Sequence, residues 1–134
     1  MFKRVAAVII KDNKILLMRR VKNGRQFFVF PGGRIKTKEN LESAAKRVIK
    51  KEFDIEIKIE TFLFRLENKG RTEFYFLAED FEGEPKISGE LRQIINESNQ
   101  YHLEWKNLSA LNKLSNLHPD EAKNKIEKIV LSLV

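Results

Sequence analysis

Apolar and polar positions along the chain fall into short blocks with two different periods. Val5 to Ile10 is a continuous apolar run and Ile15 to Met18 is another; with their flanks they predict strands over Arg4–Ile10 and Lys14–Met18. Lys11-Asp12-Asn13 between them suits a hairpin turn. Val21–Arg25 reads as a polar loop around Gly24, and Gln26–Phe30 as a short aromatic strand leading to Pro31-Gly32-Gly33. Two adjacent glycines there permit either positive φ or close approach of backbone to another group; an ordinary tight turn uses them too. The period then lengthens. At 100° per residue, Leu41, Ala45, Val48 and Glu52 lie within about 60° of one another. This predicts a helix from Lys38 to Phe53, with Thr37 as N-cap and Asp54 as a left-handed terminus. Ile55–Glu60 alternates strictly and predicts a half-buried strand continuing to Leu66. Asn68-Lys69-Gly70 is a turn, and Thr72–Ala78 is a further strand. A last helix follows His118-Pro119, with Ile126, Ile129, Val130 and Leu133 as its apolar stripe.

The carboxylate at Glu52 breaks the helix pattern, because it sits within the stripe a helix normally turns to its core. Glutamate is almost never fully buried without a partner. Glu52 therefore ends the helix in water, or meets a cation, or stands at the edge of a cleft. The segment upstream bears on that choice. Counted from Gly33, residues Glu39, Arg47, Ile49, Glu52 and Ile55 match the spacing of the Nudix box, and Phe28-Val29-Phe30-Pro31-Gly32-Gly33 resembles the aromatic lead-in to it. Arg19 and Arg20 close a strand much as they do before the box in that superfamily. The chain thus resembles the Nudix hydrolase superfamily (MutT-like) over nearly its whole length. The resemblance implies a single domain over residues 1–134. Its fold would be an α/β/α sandwich, a mixed sheet with the box helix on one face and a C-terminal helix.

The box departs from its pattern at the acids. Val48 stands at the first helix glutamate, Lys51 at the first of the paired glutamates and Asp54 at the glycine. In the superfamily these acids cluster to hold divalent ions against a pyrophosphate. Positions 48, 51 and 52 share about 100° of the helix surface, and here they read Val, Lys, Glu. Magnesium binds through one or two carboxylates with phosphate oxygens and water, so Glu52 could hold a single weakly bound Mg²⁺ or Mn²⁺, or none. An ammonium about 4 Å away would repel such an ion by roughly 2 to 8 kcal/mol. Lys51 instead either neutralises a phosphate oxygen or points into water beside Lys46 and Lys50.

The resemblance further implies phosphoanhydride hydrolysis of a nucleoside diphosphate linked to another moiety, slowed by the lost acids; the alternative is a catalytically reduced module that binds a nucleotide or sugar nucleotide. It places Glu90, then Glu97, as the loop glutamate that acts as general base, each of which is otherwise a solvated carboxylate. Arg20, Gly32, Gly33, Arg34, Arg47 and Lys51 are the substrate-binding candidates, and Arg47 is equally placed to orient a helix carboxylate or to pair with Glu39. Tyr101–Leu111 resembles a Trp-and-Leu stretch near the end of that fold, where Trp105 reads as core. His102 has no second ligand at metal-binding spacing.

Composition adds limits. The 134 residues contain no cysteine, which excludes disulfides and thiolate metal sites and makes a cytoplasmic setting natural. No apolar run is long enough to span a bilayer. The net charge of +7 favours a polyanionic small molecule such as a nucleotide. The charge is dispersed, so nucleic acid is not expected as a partner, and a homodimer is left open.

Overall fold

The computed structural model describes residues 2–133, with the side chain of Leu133 outside the described set. Strands β1 (Lys3–Lys11) and β2 (Lys14–Lys22) form the predicted hairpin, followed by β3 (Arg25–Val29) and β4 (Gly32–Arg34). Helix α1 (Leu41–Phe53) comes next, then β5 (Glu56–Lys58), β6 (Thr61–Asn68), β7 (Arg71–Ala78) and β8 (Asp80–Glu82). A short α2 (Gly89–Gln93), β9 (Asn99–Asn107), a 3₁₀ turn (Leu108–Lys113), β10 (Leu117–His118) and α3 (Asp120–Leu133) complete the chain.

The main sheet is mixed and forked. Its path runs β10-β3-β2-β1-β7-β6, with β4 also on β1 and β9 also on β2. β1 and β2 pair only at their hairpin end, Ile10 with Ile15 and Lys11 with Lys14. Beyond it β1 continues with parallel β7 and antiparallel β4, whereas β2 continues with β9 and β3. The continuous apolar run in β1 reflects cover on both faces. Ala6, Val8 and Ile10 join Ala122, Ile126 and Val130 of α3, while Ala7 and Ile9 join Ile49 and Phe53 of α1. Of the predicted α3 stripe, Ile126 and Val130 are buried and Ile129 is half-buried.

Four elements differ from the sequence reading. Only Asn23 and Gly24, both at positive φ, form the turn between β2 and β3; this is the Asn-Gly hairpin signature, so Val21, Lys22 and Arg25 belong to strands. The stretch from Ile55 to Leu66 is two strands, because β5 pairs with β8 while β6 joins β7 in the main sheet. β9 was missed: its Tyr101, Leu103 and Trp105 alternate onto the α1 side of the core, a period that polar neighbours conceal. Finally, α1 begins later than Lys38, which has φ 66°. Asn40 is the N-cap in place of Thr37, accepting from the Ser43 N–H at 2.8 Å. Asp54 ends the helix at φ 57° as expected.

The glycine pair lies in a strand rather than a turn, and neither residue has positive φ. A Cβ at Gly32 would meet the Val5 carbonyl oxygen at 2.2 Å, and one at Gly33 would meet Val48 Cγ1 at 2.7 Å. Close approach is thus the reason for both. Gly33→Ala is expected to cost about 1–3 kcal/mol by overpacking, and to cost less in a Val48→Ala background. Urea denaturation of the four proteins in that cycle checks the contact; equal costs in both backgrounds would refute it.

Candidate active site

A cleft of about 780 Å³ opens between β4, the loop after it, α1 and α2. Three local devices build it. The first is the Gly33–Val48 contact, which sets α1 against β4. The second is a clamp on the loop. Arg47 Nε donates to Glu39 Oε2 at 2.6 Å, and its Nη2 donates to Glu39 Oε1 at 2.9 Å and to the Arg34 carbonyl at 3.0 Å. Glu39 Oε1 also accepts from the Lys36 N–H at 3.0 Å. Bidentate pairs of this kind fix orientation as well as adding energy. Of the two readings for Arg47, the pairing with Glu39 is the one observed.

The third device brings α2 to the site. The last turn of α1 leaves carbonyls without helical partners, and the segment before α2 satisfies them. Lys86 N–H donates to Phe53 O at 3.0 Å, and Ser88 N–H donates to Glu52 O at 2.8 Å. Ser88 Oγ donates to Lys51 O at 2.7 Å. Glu52 closes the junction, its Oε2 accepting from the Leu91 N–H at 3.2 Å. Glu90 thereby arrives beside Lys51, with Oε1 3.1 Å from Nζ.

Of the sequence candidates, Gly32, Gly33, Arg34, Arg47, Lys51, Glu52 and Glu90 all line the cleft. Arg20 and Glu97 do not. Arg20 lies over the Tyr101 ring at 4.1 Å and donates to Asn99 Oδ1 at 2.9 Å. Glu97 is exposed in the tight turn before β9. Two charged wall residues escaped the sequence reading. Lys36 was within the box segment, where its distance from Gly33 could have drawn attention. Arg4 had no local signal, since only the register that sets it opposite both Arg34 and Glu73 brings it there.

Five cationic and two acidic side chains line this cleft. With Arg47 tied to Glu39 and Lys51 to Glu90, Arg4, Arg34 and Lys36 outnumber the remaining carboxylate, Glu52. Among the described residues no three His, Cys, Asp or Glu side chains form a metal-binding group. Val48 is buried against Gly33, and Lys51 is a cation. The donors therefore do not fit a cluster of several divalent ions. Glu52 alone would hold an ion, sharing it with ligand oxygens and water.

The comparisons agree with this architecture. The family model of the NUDIX domain matches residues 1–127, and the chain belongs to that family. A solved structure described as MutT from Aliivibrio salmonicida and Vibrio cholerae has 21% identity and a TM-score of 0.74, covering 99% of this chain and 98% of its own. The solution structure of the E. coli ORF135 protein has 24% identity and a TM-score of 0.69, with 98% and 91% covered. A structure described as an ADP compounds hydrolase has 20% identity and a TM-score of 0.73, with 98% and 74% covered. No protein of curated function matches. At these identities the structures speak to the fold, which is the mixed α/β Nudix arrangement expected. As a Nudix hydrolase family member the chain is consistent with pyrophosphohydrolase chemistry, and the family acts on nucleotide-type substrates, generally with divalent ions. No described helix is long and apolar enough to cross a membrane.

The clamp has a pH signature. The hydrogen bonds from Arg47, then that from the Lys36 N–H, lower the Glu39 carboxyl from 4.5 to about 2. A depressed carboxyl stabilises the fold above its unfolded value and loses that effect as pH falls through the folded one. The stability difference between the native chain and Glu39→Gln should therefore be full above about 4.5 and shrink toward about 2. Thermal unfolding of both proteins across that window tests it; a constant difference would rule out the ion pair as the source.

Proposed function

We propose that the chain is a slow pyrophosphohydrolase acting on a nucleoside diphosphate joined to another moiety. The observation that carries this is the convergence of Glu52, Glu90 and a surplus of cations on one cleft beside the glycine strand. Arg34, Lys36 and Arg4 would bind the phosphoanhydride, and Lys51 would reach a phosphate oxygen if it left Glu90. A bound ion on Glu52 would supply further charge neutralisation when present. Glu90, an exposed residue of the cleft wall, would take a proton from the attacking water. Glu97 lies outside the lining residues, so the reading favours Glu90 for that role. Turnover is slow on this reading because a lysine and a valine stand where two acids would concentrate metal charge on the leaving group.

A second reading has its own support. Lys51 and Glu90 engage each other, and Glu52 holds the Leu91 N–H. These are occupations that a binding module would retain without catalysis. Such a module would hold a nucleotide or sugar nucleotide as a sensor.

The test is calorimetry and phosphate release with ADP-ribose and a nucleotide panel, with and without Mg²⁺. Binding that depends little on Mg²⁺ is expected, together with weak hydrolysis that Glu52→Gln abolishes. Glutamine keeps an oxygen for the Leu91 N–H, so this loss would report charge rather than packing. Binding with no turnover would favour the module. Adding Lys51→Glu, then Val48→Glu, should tighten Mg²⁺ at least about tenfold, or 1.4 kcal/mol; unchanged Mg²⁺ affinity would mean that α1 does not face the ion.

A further inference from the structure

Beyond the box cleft lies a second one, of about 700 Å³, between β3, the β6–β7 turn and the start of α3. A chamber of about 50 Å³ lies between the two. Arg4 walls both the box cleft and this chamber, while Val29, Asn68, Arg71, His118 and Pro119 wall both the chamber and the distal cleft. Phe2 makes a second link. Its ring, on the distal side, takes the Arg34 guanidinium at 4.0 Å and that of Arg71 at 5.8 Å. The small chamber and Phe2 thus adjoin residues of both clefts.

The distal cleft has a charge pattern of its own. Lys22, Arg25, Lys69 and Arg71 line it against a single acid, Asp120. Its floor is aromatic, with Phe27 5.9 Å from the His118 ring and under the Arg25 guanidinium at 5.6 Å. Arg71 is held from below. Its Nε donates at 2.6 Å to Glu73, which also accepts from Asn68 Nδ2 at 3.0 Å and Tyr75 Oη at 2.7 Å. Glu73 is the one buried charged residue among those described. Burial pushes its carboxyl up, but bonds from Asn68, Tyr75 and Arg71 outweigh that and keep it below the usual range. A fixed carboxylate under Arg71 engages one edge of the guanidinium and leaves its Nη groups for another anion. Arg4, half-buried, donates Nη2 to Phe30 O at 3.0 Å, and a guanidinium has four further N–H groups to satisfy.

We propose that the distal cleft binds a second anionic group of the same ligand, a phosphate ester or its equivalent carried beside an aromatic ring, with Arg4 at the waist between the two anions. This rests on the box cleft holding a phosphoanhydride. It narrows the substrate from nucleoside diphosphate derivatives in general to those bearing a further phosphate on the nucleoside side.

The experiment is calorimetry without Mg²⁺, using ADP and ADP carrying an additional 3′-phosphate. The native chain should bind the phosphorylated probe at least tenfold more tightly, and Lys22→Ala/Arg25→Ala should bring that ratio close to one. Both positions are exposed strand residues, so the variant should keep its fold. Arg34→Ala/Lys36→Ala should weaken both probes alike and leave the ratio standing. If ADP binds and the second phosphate adds nothing, or if the ratio survives in Lys22→Ala/Arg25→Ala, the distal site is wrong and the box cleft stands. If neither probe binds the native chain, the box-cleft reading fails and takes the distal one with it.

Discussion

The separation between Gly33 and Val48 governs where the candidate site lies. A methyl at position 33 would stand 2.7 Å from Val48 Cγ1, well inside van der Waals contact. Helix α1 can therefore sit at its observed height over β4 only while residue 33 lacks a Cβ. That height carries the loop between them to where Arg47 can clasp Glu39 and the Arg34 carbonyl. It also sets the free carbonyls at the end of α1 where Lys86 and Ser88 reach them. Glu90 follows from Ser88 by chain connectivity. One close contact thus determines which side chains share the cleft.

The electrostatics of that cleft follow from what the box has lost and kept. Each replaced position suits the fold in its new form. Val48 fills space against Gly33, Lys51 is exposed and meets Glu90, and Asp54 adopts the left-handed cap with Lys50 and Lys86 within ion-pair distance. The kept positions, Glu39 and Arg47, make the loop clamp. The box residues that build structure thus match the family spacing, while the cleft they frame is basic. A basic cleft can hold a polyphosphate by direct ion pairs, whereas an acidic one must first recruit cations.

How far the sequence revealed this depends on the range of each interaction. The hairpin, the Asp54 cap, α3 and the box helix all rest on local patterns and are found where those patterns lie. Strand β9 was hidden because polar residues alternate with Tyr101, Leu103 and Trp105, so the run does not read as apolar. The change of sheet near Ile59 has no local mark, since a strand alternates in the same way whichever partner it takes. In the site, Glu52 and Lys51 came from motif spacing, Arg34 from its place after the glycine pair and Glu90 from its position in the loop before the last helix, and all line the cleft. Arg20 followed similar logic and does not, because Tyr101 and Asn99 of β9 hold it elsewhere. Arg4 became visible only through cross-strand register, which a linear reading does not contain.

Glu52 shows why a surviving motif residue is weaker evidence than its spacing suggests. Its carboxylate accepts the Leu91 N–H, and its own carbonyl accepts from Ser88. Both contacts fasten α2 to α1, so the position has a structural occupation whether or not chemistry occurs. A neutral acceptor of the same shape would serve that occupation equally well. The charge at Glu52 is then the part that packing does not require. In a cleft where Arg4, Arg34 and Lys36 already favour an anionic ligand, a lone carboxylate subtracts from that attraction without reversing it. Shape and charge at Glu52 are thus separable: the shape fastens α2 to α1, and only the charge bears on what the cleft can hold.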